Sequence, residues 1–410
     1  MMKKVLAFMA MAASISFGSA LSTLAESMKA GEWKELSTLN LSGDFLYSNV
    51  NGDYWWNDMA TTWTNYLCWN PATRDLHWAG APHLAPYAVI RYSEQTNAWS
   101  MITDVPACMR LGEYQGCFNH GYDLGTIDQD KGIFYYKSTS TFFSYVIATK
   151  TWSQWSISQF SQDRADGMAF FPPLKKLCHV IGGTVRLVDP ATRAVESVSS
   201  GLSMGGYNNT AEYSPVHRKV YFGGGSTAFY SLDSAKRVTR LADAPESYNC
   251  DYSSLACDPV TGNPLILANS NNYYMYSATA NQWTQITNPP AALNAPSSAA
   301  KPAMATGISE YGVVFYMSPN LKKVYLYKHA AGTAAAEARP APVSAALSDL
   351  PNPVSRSTLV SLKAEAGSAF RIYDLRGSLL ADVSRLSVGV YLMESVSAGL
   401  QSVKKIAVIR

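Results

Sequence analysis

The chain has 410 residues, of which 47% are hydrophobic and only 15% charged, so one large ordered domain beside a smaller unit is expected. The formal charge of +3 belongs to the ends: residues 21–347 carry 23 basic against 25 acidic residues, and residues 348–410 carry 8 against 5. A near-neutral body without a basic stripe argues against a nucleic-acid partner, and 25 Tyr with 10 Trp point to an all-β chain, because aromatic side chains suit a pleated, half-buried surface.

The N-terminus reads Met1-Met2-Lys3-Lys4, then an apolar run from Val5 to Phe17, then Gly18, Ser19 and Ala20. That is the pattern of a secretory signal peptide over residues 1–20, too short for a spanning helix. Cleavage is expected after Ala20, with Ala25 as the alternative. No other apolar run approaches the roughly eighteen residues that a transmembrane span requires. Six cysteines in an exported chain bring oxidation into play. Cys108 and Cys117 flank a short loop and are the disulfide candidate. An extended chain would hold Cys250 and Cys257 beyond disulfide reach. Cys68 and Cys178, in apolar strand patterns, read as buried thiols.

A repeat runs through residues 31–329. Short strands ending on Trp or an apolar equivalent recur around Trp33, Trp99, Trp152, Val195, Val238 and Trp283, mostly 40 to 65 residues apart, the length of a four-stranded blade. Ahead of them come strand–turn–strand pieces with Pro or Gly in the turn, clearest from Tyr213 through Pro215 to Gly223-Gly224-Gly225. The count is six blades, with seven left open if the long first segment hides another. The last blade, from about Lys301 to Lys328, lacks an outer strand, and the strand around Trp33 is an outer strand without the other three. Closure of the ring by that N-terminal strand is therefore expected. The double glycine after an apolar strand, also present at Gly182-Gly183, resembles the kelch repeat, whose blades end on a Trp-bearing outer strand. The resemblance implies a six-bladed kelch-type β-propeller.

After His329 an Ala/Pro-rich run, residues 330–347, reads as a linker. Beyond it lie Pro351-Asn352-Pro353, then Phe370-Arg371-Ile372-Tyr373-Asp374-Leu375-Arg376-Gly377, then Gly389-Val390-Tyr391-Leu392, and finally Lys404-Lys405-Ile406-Ala407-Val408. Alternating apolar strands at 358–362, 369–373 and 390–394, separated by Gly turns, read as a small Ig-like β-sandwich. These four pieces in this order resemble the type A C-terminal sorting domain of type IX secretion cargo. Ser378 departs from that family, which often has Arg there. The resemblance covers residues 348–410 and implies the type IX secretion machinery as a partner, with the propeller released or attached to the cell surface. An ordinary Ig-like accessory module is the alternative.

In a propeller, the connections from one blade's outer strand to the next blade's inner strand surround one mouth of the axis, the default binding site. Aligning the blades on the turn Pro brings Trp63, Gly121, Arg164, Tyr207, Asp251 and Ala300 to equivalent positions, with His120, Asp166, Asn208, Asn209 and Tyr252 around them. Such side chains converging on one mouth suit a polar ligand such as a sugar, or else satisfy backbone groups where strands crowd the axis. The loop over residues 37–62 carries Trp55 and Trp56, adjacent aromatics suited to stacking on a pyranose ring or to packing beneath the loop. The six histidines are scattered without metal-ligand spacing, and no nucleophile elbow or P-loop occurs, so no metal or cofactor is expected and the sequence assigns no catalytic residue. The expected function is a secreted or surface-attached propeller that binds a glycan or a surface protein. A carbohydrate-active enzyme, by analogy with the six-bladed sialic-acid mutarotases, and a structural envelope component are the alternatives.

Overall fold

Short apolar segments joined by tight Pro, Gly and Asx turns pair with their sequence neighbours, because such connections bring consecutive strands side by side. The computed structural model describes residues 18–41, 61–80, 88–106, 120–160, 165–295 and 301–330, with short strands between residues 354 and 409. Six four-stranded antiparallel sheets result. Blades 1 to 5 span residues 68–101, 125–156, 167–199, 209–240 and 254–285. Blade 6 takes three strands from residues 304–328 and its fourth, Glu32–Leu36, from the N-terminal segment, with Glu32 opposite Lys328 and Leu36 opposite Val324.

The first strands of the blades are Cys68–Asn70, Gly125–Asp128, Gly167–Phe171, Asn209–Ser214, Ser254–Cys257 and Met304–Ile308. They touch one another in cyclic order, the sixth reaching back to the first. These strands line the axis of an all-β, six-bladed propeller. The long first segment adds no seventh blade among the described residues. Burial falls outward from the axis: Asp75–Gly80 and Val313–Ser318 are buried along their whole length, whereas the fourth strands Thr151–Ser156 and Gln282–Gln285 are mostly exposed.

The core lies between blades, because each sheet is apolar on both faces and must cover both. Tyr135, Phe142 and Trp155 of blade 2 pack on Met168, Phe170 and Leu177 of blade 3. Tyr221 and Phe229 of blade 4 pack on Leu255 and Ile266 of blade 5. The outer-strand tryptophans add a directional link. Trp283 Nε1 donates to Ala242 O (2.9 Å), Trp33 Nε1 to Thr287 O (3.0 Å) and Trp99 Nε1 to Thr38 Oγ1 (3.0 Å). Each acceptor lies in the chain leaving the preceding blade, so the indole fills the gap between two blades while its N–H ties down their connection.

A short helix, Ala20–Glu26, begins at Ser19, whose Oγ accepts from Ser22 N at 3.0 Å. It buries Leu21 and Ala25 in the core shared by blades 1, 2 and 6, and Lys328 Nζ donates to Ala25 O at 3.0 Å. No helix among the described residues is long and apolar enough to cross a membrane. Cys68, Cys178, Cys250 and Cys257 are free and buried. Cys108 and Cys117 lie outside the described residues.

The C-terminal strands form one five-stranded sheet in the order Val354–Ser355, Leu400–Ile409, Gly389–Ser397, Phe370–Tyr373, Leu379–Leu380, the first pair parallel and the others antiparallel. Tyr373, Gly389, Tyr391, Lys404 and Lys405 fall on these strands. Pro351, Asn352, Pro353, Asp374, Gly377 and the expected strand at 358–362 lie outside the described residues. A second, facing sheet is not present among the described residues.

Crowding at the axis sets backbone against backbone at Gly167, where an added Cβ would lie 2.5 Å from the carbonyl carbon of Thr210 in the next blade. Gly167→Ala should therefore cost about 2–4 kcal/mol in denaturant unfolding. Gly206→Ala, whose Cβ would meet nothing within 4 Å, should change stability by less than about 0.5 kcal/mol. Similar small losses in both would contradict the packing described here.

Candidate functional site at the axial mouth

Just before the inner strands, the chain turns from an inter-blade connection onto the axis through a left-handed residue: Trp63 (φ 52°), Tyr122 (φ 38°), Ala165 (φ 50°) and Asn208 (φ 66°). Among the described residues four positions do this, and two carry bulky aromatics, for which a positive φ is strained. Neighbouring chains offset the strain. Asn209 N donates to Ala165 O (3.0 Å), Asn65 N to Tyr122 O (3.2 Å), Cys250 N to Asn208 O (3.4 Å), and Tyr122 N to Trp63 O. The turns are thereby stitched to one another around the mouth.

The side chains carried there meet. The rings of Trp63 and His120 lie 4.4 Å apart, His120 and Tyr122 meet edge-on at 5.0 Å, and Tyr122 and Tyr207 at 6.2 Å. The hydroxyls of Tyr122 and Tyr207 are 3.3 Å apart. This row is buried at His120 and Tyr122 and ends on Tyr207, which is 47% exposed. Beside it, Asn208 Nδ2 donates to Asp251 Oδ2 at 2.6 Å, and Asn65 Nδ2 donates to Ser253 O at 3.1 Å. Four buried oxygens at this end of the axis have no hydrogen-bond partner among the described residues: Asn65 Oδ1, Asn208 Oδ1, Asp251 Oδ1 and Ser253 Oγ.

Burial pushes the Asp251 carboxyl up to about 6, against the opposing pull of the Asn208 amide. Burial, and then the hydroxyl of Tyr207, raise Tyr122, which also feels the charge of Asp251. The mouth is thus an aromatic row with an exposed end, next to buried oxygens that have no hydrogen-bond partner among the described residues. A ligand with several O–H or N–H groups and an apolar face satisfies both. Among the described residues no three His, Cys, Asp or Glu side chains converge as a metal site.

Of the residues expected at the mouth, Trp63, His120, Tyr207, Asn208 and Asp251 come together. Tyr252 follows Asp251 and is half-buried, its N–H held by Asn249 Oδ1 at 3.0 Å. Asp166 and Asn209 turn inward instead. Asp166 is fully buried between Lys137 Nζ (2.6 Å) and the His179 ring. Burial alone would raise it, but the charges of Lys137 and His179 hold its carboxyl well below the usual range. Asn209 accepts from Gly182 N (2.8 Å) and donates to Gly224 O (2.9 Å) and Gly205 O (3.2 Å). Trp55, Trp56, Arg164 and Ala300 lie outside the described residues. Tyr122, Asn65 and Ser253 escaped the alignment on the turn Pro, which selects Gly121 where the left-handed residue is Tyr122.

Beneath the mouth, Asp123 Oδ2 accepts from Thr210 Oγ1 and Ala211 N, both at 2.6 Å. The carboxylate of blade 2 thereby grips blade 4, past the inner strand of blade 3. Burial lifts this carboxyl to about 7, against those two hydrogen bonds.

No protein-family model matches the chain, and no curated protein matches it. Among solved structures the chain is similar to one in a nidogen/laminin complex, with 9% identity, covering 56% of this chain and 82% of that one, at a TM-score of 0.41. It is similar to PorZ, a bacterial surface component of the type-IX secretion system of Porphyromonas gingivalis, with 12% identity, covering 85% and 60%, at 0.37. It is also similar to an auxiliary nutrient binding protein from Bacteroides ovatus, with 10% identity, covering 64% and 68%, at 0.45. The blade count rests on the strand pairing, and these similarities carry no argument about the site.

Asp123 and Asp251 bind protons more tightly in the folded than in the unfolded chain, so their contribution to stability falls as pH rises from about 4 to about 7. Asp123→Asn keeps an acceptor for Thr210 and Ala211 but removes the titration. In thermal and denaturant unfolding, the variant should gain on the wild type by about 2–4 kcal/mol between pH 4 and pH 8. Parallel pH profiles would contradict a desolvated carboxyl at this position.

Proposed function

We propose that this chain is an exported propeller that binds a glycan through its axial mouth, and that no turnover follows binding. The observation that carries the reading is the aromatic row ending on exposed Tyr207 beside the partnerless acceptors of Asp251 and Asn208. A pyranose offers a C–H face to such a ring and hydroxyl donors to such acceptors. A surface-protein ligand would use the same mouth.

Other features support the route and the architecture. The double glycines Gly182-Gly183 and Gly224-Gly225 all take positive φ, in keeping with a kelch-type blade. The pairing of Glu32–Leu36 with Lys323–Lys328 supports closure of the ring by the N-terminal strand. Burial of Leu21 and Ala25 favours signal cleavage upstream of Leu21 over cleavage after Ala25, which would strip that contact away. The ordered motifs at Pro351-Asn352-Pro353, Tyr373-Asp374, Gly389 and Lys404-Lys405 support a type IX sorting role for residues 348–410.

On a glycan array, residues 21–340 should retain a defined set of glycans, with product analysis of each hit separating binding from turnover. Tyr207→Ala and Asp251→Ala should each weaken that binding by about tenfold or more, with melting temperatures held within a few degrees. Undiminished binding in both would move the site elsewhere, and released product would make the protein an enzyme. Deletion of residues 348–410 should leave the propeller in the periplasm; unchanged surface display would sink the sorting role.

A further inference from the structure

The far end of the axis, where the inner strands run into their turns, holds a cavity of about 280 Å³. All six blades line it, through Cys68, Thr126, Phe170, Glu212, Cys257 and Thr306. Glu212 is the distinctive member. Its carboxyl makes no hydrogen bond or ion pair with any described residue. Its charge acts on the thiols of Cys68 in blade 1 and Cys257 in blade 5, and it feels Asp123 of blade 2. A side chain of blade 4 that lines one cavity with residues of the other five blades stands at the axis.

No Lys, Arg or His lines this cavity. The titratable groups facing Glu212 are Asp123 behind it, Asp130 at the rim, the two thiols, and the phenols of Tyr66 and Tyr213. All are neutral or negative, so the cavity repels anions and leaves its carboxyl without a counter-charge. Burial, and then Asp123, push Glu212 well up. A half-buried carboxyl that no described residue pairs is costly to ionise and is stabilised by any cation that reaches it. The volume is at the low end for ligand pockets, about 300 Å³ and upward, which limits the occupant to something compact.

We propose that this cavity is a second binding site, distinct from the mouth, for a small organic ammonium whose N–H groups donate to Glu212. An ammonium rather than a metal ion follows from the donor set, since no three His, Cys, Asp or Glu side chains converge there among the described residues. On binding, the protonated carboxyl gives its proton to solvent and the carboxylate pairs with the ammonium, so one proton is released for each cation taken up. Affinity therefore rises with pH until Glu212 is ionised in the empty protein.

The test uses the chain from Leu21 onward, with ethanolamine and 1,4-diaminobutane as probes and the matched diols, ethylene glycol and 1,4-butanediol, as controls. Calorimetric titration should find binding of the amines and none of the diols. Affinity should rise with pH from the ordinary carboxyl range upward, and titration in two buffers of different ionisation heat should report proton release on amine binding within that rise. Glu212→Gln should weaken amine binding at least tenfold, whereas the mouth variant Tyr207→Ala should leave it unchanged. Equal response to amines and diols, no binding of either, full binding in Glu212→Gln, or no proton release would each overturn the proposal. Proton release is read on the wild-type protein, so the test stands if the Gln variant fails to fold, and amine binding is independent of whether the mouth takes a glycan.

Discussion

Everything in this molecule is arranged around the distance at which six inner strands meet. They come close enough that one strand hydrogen-bonds the segment entering its neighbour, as Met168 N does to Asp123 O (2.8 Å) and Ala305 N to Asn65 O (3.2 Å). Such an approach leaves no room for a side chain at Gly167, or at Gly125, where the Tyr66 ring occupies the position of a Cβ. It also forces the backbone into left-handed turns above the axis. Those turns carry or flank the side chains of the mouth, so the site is a by-product of the same crowding that holds the blades together.

Four carboxyls stand along or beside the axis. Asp123 clasps blade 4, Asp166 lies between Lys137 and His179 where blades 2 and 3 meet, Asp251 sits at the mouth, and Glu212 faces the far cavity. Only Asp166 has charged partners, and it alone of the four is held below its ordinary range; burial raises the other three. Paired groups stabilise a fold, while unpaired buried carboxyls tend to mark function. The two ends of the axis differ accordingly: aromatic and acceptor-rich at the mouth, acidic and compact at the other.

The propeller was legible in the sequence where packing demands a large aromatic residue. Trp33, Trp99 and Trp283 recur because each indole both fills an inter-blade gap and donates to the preceding connection. Blades 3 and 4 carry Val195 and Val238 at the corresponding strands, which is why their repeat is fainter. The mouth was legible in part. Tyr207 and Asp251 stand at a fixed offset before a turn Pro, and the left-handed residue is the next one along in blades 2 to 4, Tyr122, Ala165 and Asn208, so an alignment on that offset passes over Tyr122 in favour of Gly121. Asp166 and Asn209 are polar for internal reasons that no spacing reveals, one facing Lys137 across the blade interface and the other filling the hydrogen bonds of a double-glycine turn. Glu212 reads as an ordinary polar position of a strand, and only the ring of neighbours makes it axial.

The most direct measurement is hydrogen–deuterium exchange of the propeller with and without a glycan that it retains. If the mouth is the binding site, added protection should fall on residues 63–66, 120–124, 207–211 and 250–254, four segments far apart in sequence that meet only there. Protection confined to the outer strands, or to the turns around Pro172, Pro215 and Pro259 at the opposite end, would contradict it.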